Sequence, residues 1–348
     1  MKHTQHSWTM VAALTVAITL PSVASGQIVK KAQVGLRFLE NPVSAEVVGQ
    51  GGVGILTTRD ANGIFWNPAL LGLVDRSVDL TLNRTQGIAD INYNAIAAAV
   101  RIGDFGVVGF SFLSMDYGTF YGTRRDANPA GYVETGEFSP KAFAAGVGFS
   151  QKVSDRFSYG VHVKYVYQNL GSAWVAPFGT SIDSDPTIAI SQREYNLADH
   201  GTPLAIDVGA HYDFLSNGIR FAAVLQNISR EFHYESDDFP MPFAVSFGAT
   251  IEPLHFFYDG KEGSALLLSF QSRHPRDFKE RLNIGAEYTV VENIVVRVGE
   301  MINYDERGFT AGVGLAYDLS GVNTRFDYAY QAYGIFGAVH YISLGFAL

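Results

Sequence analysis

The feature that most constrains this chain is an alternation of apolar with small or polar side chains, repeated every two residues from Ser77 to the C-terminus. In "RFSYGVHVKYVYQ", aromatic and aliphatic residues occupy one face, and serine, glycine, histidine and lysine occupy the other. A β-strand places successive side chains on opposite faces, so this period predicts strands. An apolar face opposed to a small or polar face suits a strand between lipid and a polar interior.

About fourteen such segments follow one another, each near the ~10 residues with which a tilted strand crosses a bilayer. A soluble sandwich also alternates, but its outward face is usually more charged. An even number of strands can close into a barrel, which leaves no unpaired edge in lipid. We therefore predict an all-β fold: a transmembrane antiparallel β-barrel of about fourteen strands, built from residues 77–348.

The connections between these segments differ in length in a regular way. Short turns on one side and long loops on the outer side are typical of outer-membrane barrels. One connection, 253–263, is long although it falls on the short-turn side. The tight turns are predicted at 103–104, 154–156, 215–217, 292–293 and 319–321, and the long outer loops at 117–138, 169–202 and 228–240.

The composition agrees with a membrane barrel. Charged residues make up 17% of the chain, whereas a typical soluble domain has about 25%. The mature chain has no apolar run near the ~20 residues of a membrane helix, so a membrane protein with this sequence has to be a barrel. The net charge of −9 and the lack of a basic cluster argue against a nucleic-acid partner.

Residues 1–26 have the layout of a cleaved secretory signal peptide. Lys2 supplies a positive charge, Met10 to Leu20 is a short apolar stretch, and small residues lead to Gly26. The chain has no cysteine, which excludes a lipidated cysteine, disulfides and cysteine metal sites. We expect export to the bacterial outer membrane, with outer-membrane lipid around the barrel.

No motif for catalysis or for a cofactor has its required context. "GQGGVG" at 49–54 matches a dinucleotide fingerprint, but no helix is predicted after it. The histidines lack metal-ligand spacing, and G-x-S-x-G is absent. We expect no cofactor, no metal and no catalytic residue. The members of a Ser/His/Asp triad meet only in space, so an outer-membrane hydrolase stays open as a third hypothesis.

Charged side chains on the predicted strands are more informative. A charge facing lipid costs a few kcal/mol at mid-depth, so we expect these residues to point into the barrel lumen. Two interpretations remain open, a network that holds the barrel shape and a path for a solute. The lumen candidates are Lys164, Asp207, Glu287, Arg297, Arg325 and Asp327.

Residues 27–76 are predicted to form a hatch ahead of the barrel. In "DANGIFWNPALLG", Asn67 can cap a short helix, Pro68 suits its first position and Gly72 can end it. Such a helix is too short to span lipid and too apolar for water, so we expect it inside the barrel or at its periplasmic mouth. The hatch candidates are Phe65, Trp66, Asn67, Pro68, Ala69, Leu70 and Leu71.

The run "FLENPVSAEVVGQGGVGILTTRDANGIFWNPALLG" (38–72) resembles the N-terminal signature of the PorV/PorQ family. "DYGTFYG" (116–122), "AIDVGAHY" (205–212) and "FDYAYQAYGIFGAVHYISLGF" (326–346) extend the resemblance over nearly the whole chain. That family belongs to the fourteen-stranded FadL-like barrels. The resemblance implies that the Asn-Pro-Ala segment forms part of a hatch and that the barrel has no enzymatic activity.

The resemblance also implies a role in type IX secretion. The PorV branch receives cargo with a C-terminal signal domain from a large translocon and passes it to the surface attachment machinery. The expected partners are then secretion-system proteins and this cargo, bound by aromatic residues of the outer loops. The recognition candidates are Tyr117, Phe120, Tyr121, Trp174 and Phe178.

The alternative is a FadL-like channel for hydrophobic solutes. In that hypothesis the hatch around Asn67 gates the channel, and Phe65 and Trp66 line the route of the solute.

Overall fold

The chain folds into a closed antiparallel barrel in a computed structural model. The residues described are 34–125, 128–175, 191–196, 204–214, 218–234, 237–256, 266–291 and 293–348. The predicted signal peptide lies outside the described residues, as does Phe178. No helix in the described part of the chain is long and apolar enough to cross a membrane.

Most of the described residues lie in β-strands, as the two-residue period predicts. In chain order the strands are β1 (Val78–Gln86), β2 (Asn92–Ile102), β3 (Gly106–Asp116), β4 (Phe120–Arg125), β5 (Tyr132–Phe138), β6 (Lys141–Lys152), β7 (Phe157–Val175), β8 (Ser191–Asn196), β9 (Leu204–Asp213), β10 (Ile219–Ile228), β11 (Phe232–Tyr234), β12 (Asp237–Phe239), β13 (Ala244–Ile251), β14 (Leu266–Pro275), β15 (Arg281–Val291), β16 (Ile294–Ile302), β17 (Thr310–Leu319), β18 (Val322–Ala332) and β19 (Ala338–Ala347).

Fifteen of these strands form one sheet, in which β8 pairs with the C-terminal part of β7. The other fourteen close into a barrel, because β6 pairs with β7 and the first strand, β1, pairs with the last, β19. Closure leaves each barrel strand with a neighbour on both sides, which satisfies its backbone hydrogen bonds in lipid. The prediction of an all-β, fourteen-stranded antiparallel barrel is confirmed.

The two faces of the barrel strands differ as the alternation predicts. On β7, Ser158 and His162 are fully buried, while Val161 and Val163 are 37% and 42% exposed. Phe110 on β3 and Phe247 on β13 also point outward and are about half exposed, at 48% and 58%. An outward belt of aliphatic and aromatic side chains is the surface that a bilayer covers.

The barrel has a short-turn end and a long-loop end. β1 begins and β19 finishes at the short-turn end, where two or three residues join several pairs, as between β17 and β18. The hairpins β4–β5 and β11–β12 stand at the long-loop end. The connection after β13 contains a 3-10 helix, Pro253–Phe256, so it is long despite its place at the short-turn end.

Residues 34–76, here called the N-terminal segment, run through the barrel interior. Gly35 N donates to Pro240 O at the long-loop end, and Ala61 N donates to Asp79 Oδ1 near the start of β1. The division of the chain into a hatch, 27–76, and a barrel, 77–348, stays a prediction. The helices of this segment are the 3-10 helix Arg37–Glu40, the α-helices Ala45–Gly49 and Gly63–Trp66, and the 3-10 helix Pro68–Leu73. Outside this segment, two 3-10 turns lie at the long-loop end of the barrel, Ile88–Asp90 and Gly334–Phe336.

The glycine run at 49–54 allows this segment to touch the barrel wall. Gly51 and Gly52 have φ of 68° and 77°, a backbone region that favours glycine. A β-carbon on Gly299 of β16 would lie 2.1 Å from Gly51 N. These glycines therefore serve close packing inside the barrel.

Candidate functional site

The helical corner from Gly63 to Leu73, here called the plug element, lies inside the barrel near its short-turn end and packs on β6, β7 and β9. Asn67 Oδ1 accepts a hydrogen bond from Ala69 N at 3.1 Å, which caps the helix that Pro68 begins. Asn67 Nδ2 donates to Ile55 O at 3.0 Å and to Ala210 O of β9 at 3.3 Å. One side chain thus caps the helix and holds it to the wall.

The wall makes room for the plug element with glycines and binds it with a serine. A β-carbon on Gly160 would lie 2.4 Å from the carbonyl carbon of Pro68. Gly72 N donates to Ser150 Oγ at 3.0 Å, and that hydroxyl donates to Ala69 O at 3.0 Å. Among the hatch candidates, Phe65 and Trp66 are half-buried, and the other five, from 67 to 71, are buried.

Among the described residues, cavities lie on the long-loop side of the plug element, including a mouth cavity, a side cavity and an inner cavity. The mouth cavity has a volume of about 540 Å³ and is bounded by Phe38, Met115 and Tyr117 among others. The side cavity, of about 210 Å³, lies against the long-loop ends of β1 and β19. The inner cavity, about 50 Å³, reaches the plug element. Its lining consists of Leu39, Glu40, Asn41, Val43, Phe65, Trp66, Ser111, Leu113, Ala144, His162, Lys164, Gln226 and Arg273.

Asn41 lines all three cavities and is held on both sides. Its Nδ2 donates to the Tyr93 hydroxyl at 2.7 Å, and Arg307 Nη2 donates to its Oδ1 at 2.8 Å. Arg307 Nε donates in turn to the Tyr333 hydroxyl at 2.6 Å. The side chain of Asn41 therefore borders the cavities and ties the N-terminal segment to two parts of the barrel.

The neighbouring residues of this stretch are held by ion pairs. Arg37 contacts Glu40 at 2.9 Å and Asp277, in the β14–β15 loop, at 2.5 Å. Arg273 of β14 contacts Glu40 at 3.4 Å. Burial raises the pKa of the Asp277 carboxyl, and the Arg37 guanidinium opposes this rise. These contacts hold residues 37–41 across the barrel mouth, and we call this stretch the latch.

The mouth cavity combines cations with aromatic rings. The guanidinium groups of Arg37 and Arg281 lie 4.6 and 4.3 Å from the ring centre of Phe278. Arg281 also lies 4.7 Å from the ring centre of Tyr304. These distances are those of cation–π contacts, which order the rings at the entrance.

All six lumen candidates point inward and take part in ion pairs. Lys164 contacts Asp207 at 2.8 Å. Arg297 lies between two carboxylates, and Arg325 contacts Asp79 at 2.7 Å and Asp60 at 3.4 Å. The Arg297 distances are 2.7 Å to Glu287 and 2.5 Å to Asp327.

Two of these clusters also hold the N-terminal segment. Gln50 Nε2 donates to Glu287 at 2.9 Å, and Arg325 joins Asp60 of that segment to Asp79 of β1. Lys164 instead lines the inner cavity. The interpretation as a structural network therefore suits Arg297 and Arg325, whereas Lys164 combines an ion pair with a place at a cavity.

The outer-loop candidates that the structure describes lie in different elements. Phe120 and Tyr121 are 44% and 74% exposed on the β4–β5 hairpin. Tyr117 is half-buried in the mouth cavity, where its hydroxyl accepts from Gln168 at 3.1 Å. Trp174 lies in β7, which extends beyond the barrel to pair with β8, so it is not in a loop.

The latch is not identified by charged residues on predicted strands, because residues 37–41 precede the first strand. Glu40 and Asn41 lie in an N-terminal stretch ahead of the strands. Arg307, the partner of Asn41, lies in a loop between β16 and β17, and Arg273, a partner of Glu40, lies on β14. One signal was available: "ENP" at 40–42 places a charged and an amide side chain inside an otherwise apolar run. In the part of the chain that is described, no group of side chains is arranged to hold a metal ion.

Comparisons with known proteins support the fold. No protein-family profile matches the sequence, and no curated protein sequence matches it. The barrel is similar to the toluene transporter TbuX of Ralstonia pickettii, with a TM-score of 0.57 and 13% identity over 87% of this chain and 97% of that one. The toluene transporter TodX of Pseudomonas putida gives a TM-score of 0.56, 13% identity and the same two coverages.

A FadL homologue of Pseudomonas aeruginosa is similar to the same extent, with a TM-score of 0.54 and 14% identity over 88% of this chain and 98% of that one. At such identities the similarity concerns the fold. The chain therefore has the architecture of a FadL-like bacterial outer-membrane barrel.

Proposed function

We propose that this protein is an outer-membrane channel for hydrophobic solutes, entered from the long-loop end and gated by its N-terminal segment. The observation that carries the proposal is the series of cavities interrupted by the latch and closed by the plug element. A solute entering the mouth meets aromatic rings together with arginine and acidic side chains. In this proposal it then passes Asn41, which borders both the mouth cavity and the inner cavity.

The lining suits a solute that has an apolar part and a polar group. Leu39, Val43 and Leu113 supply apolar surface in the inner cavity, and Lys164 and Arg273 supply cationic groups. Pockets of this kind bind ligands by apolar contact and orient them with a few polar groups. The similarity to transporters whose names specify toluene supports the same class of solute.

Trp66 allows a direct test, because it lines the inner cavity. The chain has three tryptophans, of which Trp8 lies in the predicted signal peptide. In a Trp174→Phe variant, Trp66 is then the single tryptophan of the mature chain. A brominated hydrocarbon should quench its fluorescence in a saturable way, whereas a brominated sugar should not. Quenching that rises linearly with the probe, without saturation, would contradict a binding site there.

Transport itself needs a barrier that hydrocarbons do not cross unaided. We would use vesicles with lipopolysaccharide in their outer leaflet and compare the intact barrel, a form lacking residues 27–76, and empty vesicles. The intact barrel should pass the hydrocarbon but exclude a sugar, and the shortened form should pass both. Hydrocarbon uptake equal to that of empty vesicles would overturn the proposal.

A second candidate is the binding and shuttling of secreted cargo in type IX secretion. It rests on the resemblance to the PorV/PorQ family and on the exposed aromatic residues of the β4–β5 hairpin, where Phe120 stacks on Phe138 at 5.6 Å between ring centres. Affinity purification from the native outer membrane in mild detergent tests it. Recovery of a large translocon, or of proteins sharing a C-terminal domain, would favour secretion over the channel.

A further inference from the structure

Ser111, His162 and Asp207 lie in a line across the inner wall of the barrel, on β3, β7 and β9. Ser111 Oγ lies 2.9 Å from His162 Nε2, and His162 Nδ1 lies 3.1 Å from Asp207 Oδ2. Asp207 and His162 are directly opposite each other on neighbouring strands. The three residues have the connectivity of a serine nucleophile, its general base and the carboxylate that orients the base.

The other partners of Asp207 determine where the protons are. Asp207 Oδ1 accepts from Asn227 N at 2.7 Å, and its Oδ2 lies 2.8 Å from the Lys164 ammonium. A carboxylate with these donors is ionised and can only accept. His162 Nδ1 must therefore carry the hydrogen, which leaves Nε2 to accept the hydrogen bond that the Ser111 hydroxyl donates. This is the tautomer that a general base next to a serine requires.

A glycine on the intervening strand makes the serine–histidine contact possible. Gly146 of β6 is directly opposite both Ser111 and Lys164 in register. A β-carbon at 146 would lie 2.3 Å from His162 Nε2 and 2.9 Å from Ser111 Oγ. Any other residue there would stand between nucleophile and base.

The constellation opens on the inner cavity. Ser111, His162 and Lys164 line it, and Ser111 is only half-buried, whereas Asp207 lies behind them and is 1% exposed. The apolar part of the lining includes Leu39, Val43 and Leu113. The cavity is small, with a volume of about 50 Å³, which favours a short acyl group.

We propose that this site hydrolyses carboxylic esters with a short acyl group, an activity beyond transport and contrary to the non-enzymatic role that the family resemblance implies. The Ser111 oxygen attacks the ester carbonyl carbon while its proton passes to His162 Nε2. The resulting oxyanion is stabilised by the Lys164 ammonium on the same cavity wall. The ester C–O bond then breaks, and His162 returns the proton to the departing alcohol. Water attacks the acyl-serine by the same route, which releases the carboxylic acid and restores Ser111.

Lys164 suits the oxyanion role because its donors are not all used. An ammonium group has three N–H donors. Two are directed at Asp207 and at Asn227 Oδ1, the latter at 2.6 Å, and the third has no partner among the described residues.

The test uses the full barrel in detergent with a small fluorophosphonate probe and with p-nitrophenyl acetate. The probe should label Ser111, identified by peptide mass spectrometry. Ser111→Ala should abolish labelling and reduce hydrolysis to background, and His162→Gln should reduce hydrolysis about 100-fold or more, as for loss of a general base. Ser246→Ala is the matched control, a buried inward serine on β13 whose hydroxyl has no described partner.

A second variant separates catalysis from the mere presence of a serine. Gly146→Ala keeps all three residues but places a methyl group between Ser111 and His162, so labelling should be lost in a barrel that still shows heat-modifiable migration. An absence of labelling in the native barrel would overturn the proposal. So would hydrolysis that persists in Ser111→Ala. Neither result bears on quenching of Trp66, so a failure here is distinguishable from a failure of the channel.

Discussion

Asn67 Oδ1 lies 1.9 Å from the position that a β-carbon on Gly209 would occupy, so the plug element packs directly against the backbone of β9. The contact joins a capping side chain to a glycine that follows it by more than a hundred residues. The position of the plug element at the short-turn end therefore depends on a residue that has no side chain.

Gly209→Ala should displace the plug element. The added methyl group overlaps the amide of Asn67, and overpacking of this kind costs about 1–3 kcal/mol. We expect larger single-channel conductance in planar bilayers. Gly308→Ala is the control, since its nearest neighbour would be Glu300 Oε1 at 3.4 Å, an ordinary contact. Equal conductance in both variants would show that the plug element does not close the barrel.

Asn41→Ala should weaken the latch. It removes the hydrogen bonds with Tyr93 and Arg307, each worth about 1 kcal/mol. Entry of a brominated hydrocarbon, followed by quenching of Trp66, should become faster by about 10-fold or more, since 1.4 kcal/mol corresponds to a factor of ten.

Asn41→Asp should have the opposite effect at the same position. The new carboxylate accepts a charge-assisted hydrogen bond from Arg307, which is stronger than the neutral one. The Tyr93 hydroxyl can rotate to donate to it. We expect slower quenching than in the native protein, and equal rates in both Asn41 variants would contradict a latch.

Arg297→Met should destabilise the barrel strongly. The change leaves the Glu287 and Asp327 carboxylates without their shared cation inside the barrel, and breaking a buried pair in this way costs about 3–5 kcal/mol. Urea unfolding of the barrel in lipid vesicles measures the loss. Lys152→Met is the comparison, because its 3.6 Å contact with Asp155 is exposed and is worth at most about 1 kcal/mol.

Replacing the β4–β5 hairpin, 120–138, with a short Gly/Ser linker tests the secretion candidate. β4 and β5 form a separate two-stranded sheet, so the barrel should fold without them. If Phe120 and Tyr121 bind secretion partners, co-purification of those partners should be lost in the replaced form. Unchanged recovery would remove this hairpin from the recognition surface.

The barrel could be predicted from the sequence because each strand carries its own signal. The alternation around His162 on β7 indicates a strand with two unlike faces whatever its neighbours are. The helix cap at Asn67 and Pro68 is local for the same reason. Trp174 shows the limit of such reasoning, because pairing with β8 extends β7 into what the sequence alone presents as a loop.

The candidate sites depended on contacts between residues far apart in the chain. Asn41 meets Arg307, and Ser111 meets His162 across Gly146, only once the barrel has closed and its register is set. The sequence by itself determined the strands, their two faces and the capped plug element, since these follow from residues within a few positions of one another. The tertiary structure alone decided which inward side chains are in contact. Barrel closure brings together residues that are far apart in the sequence, and sequence separation does not predict their distance in space.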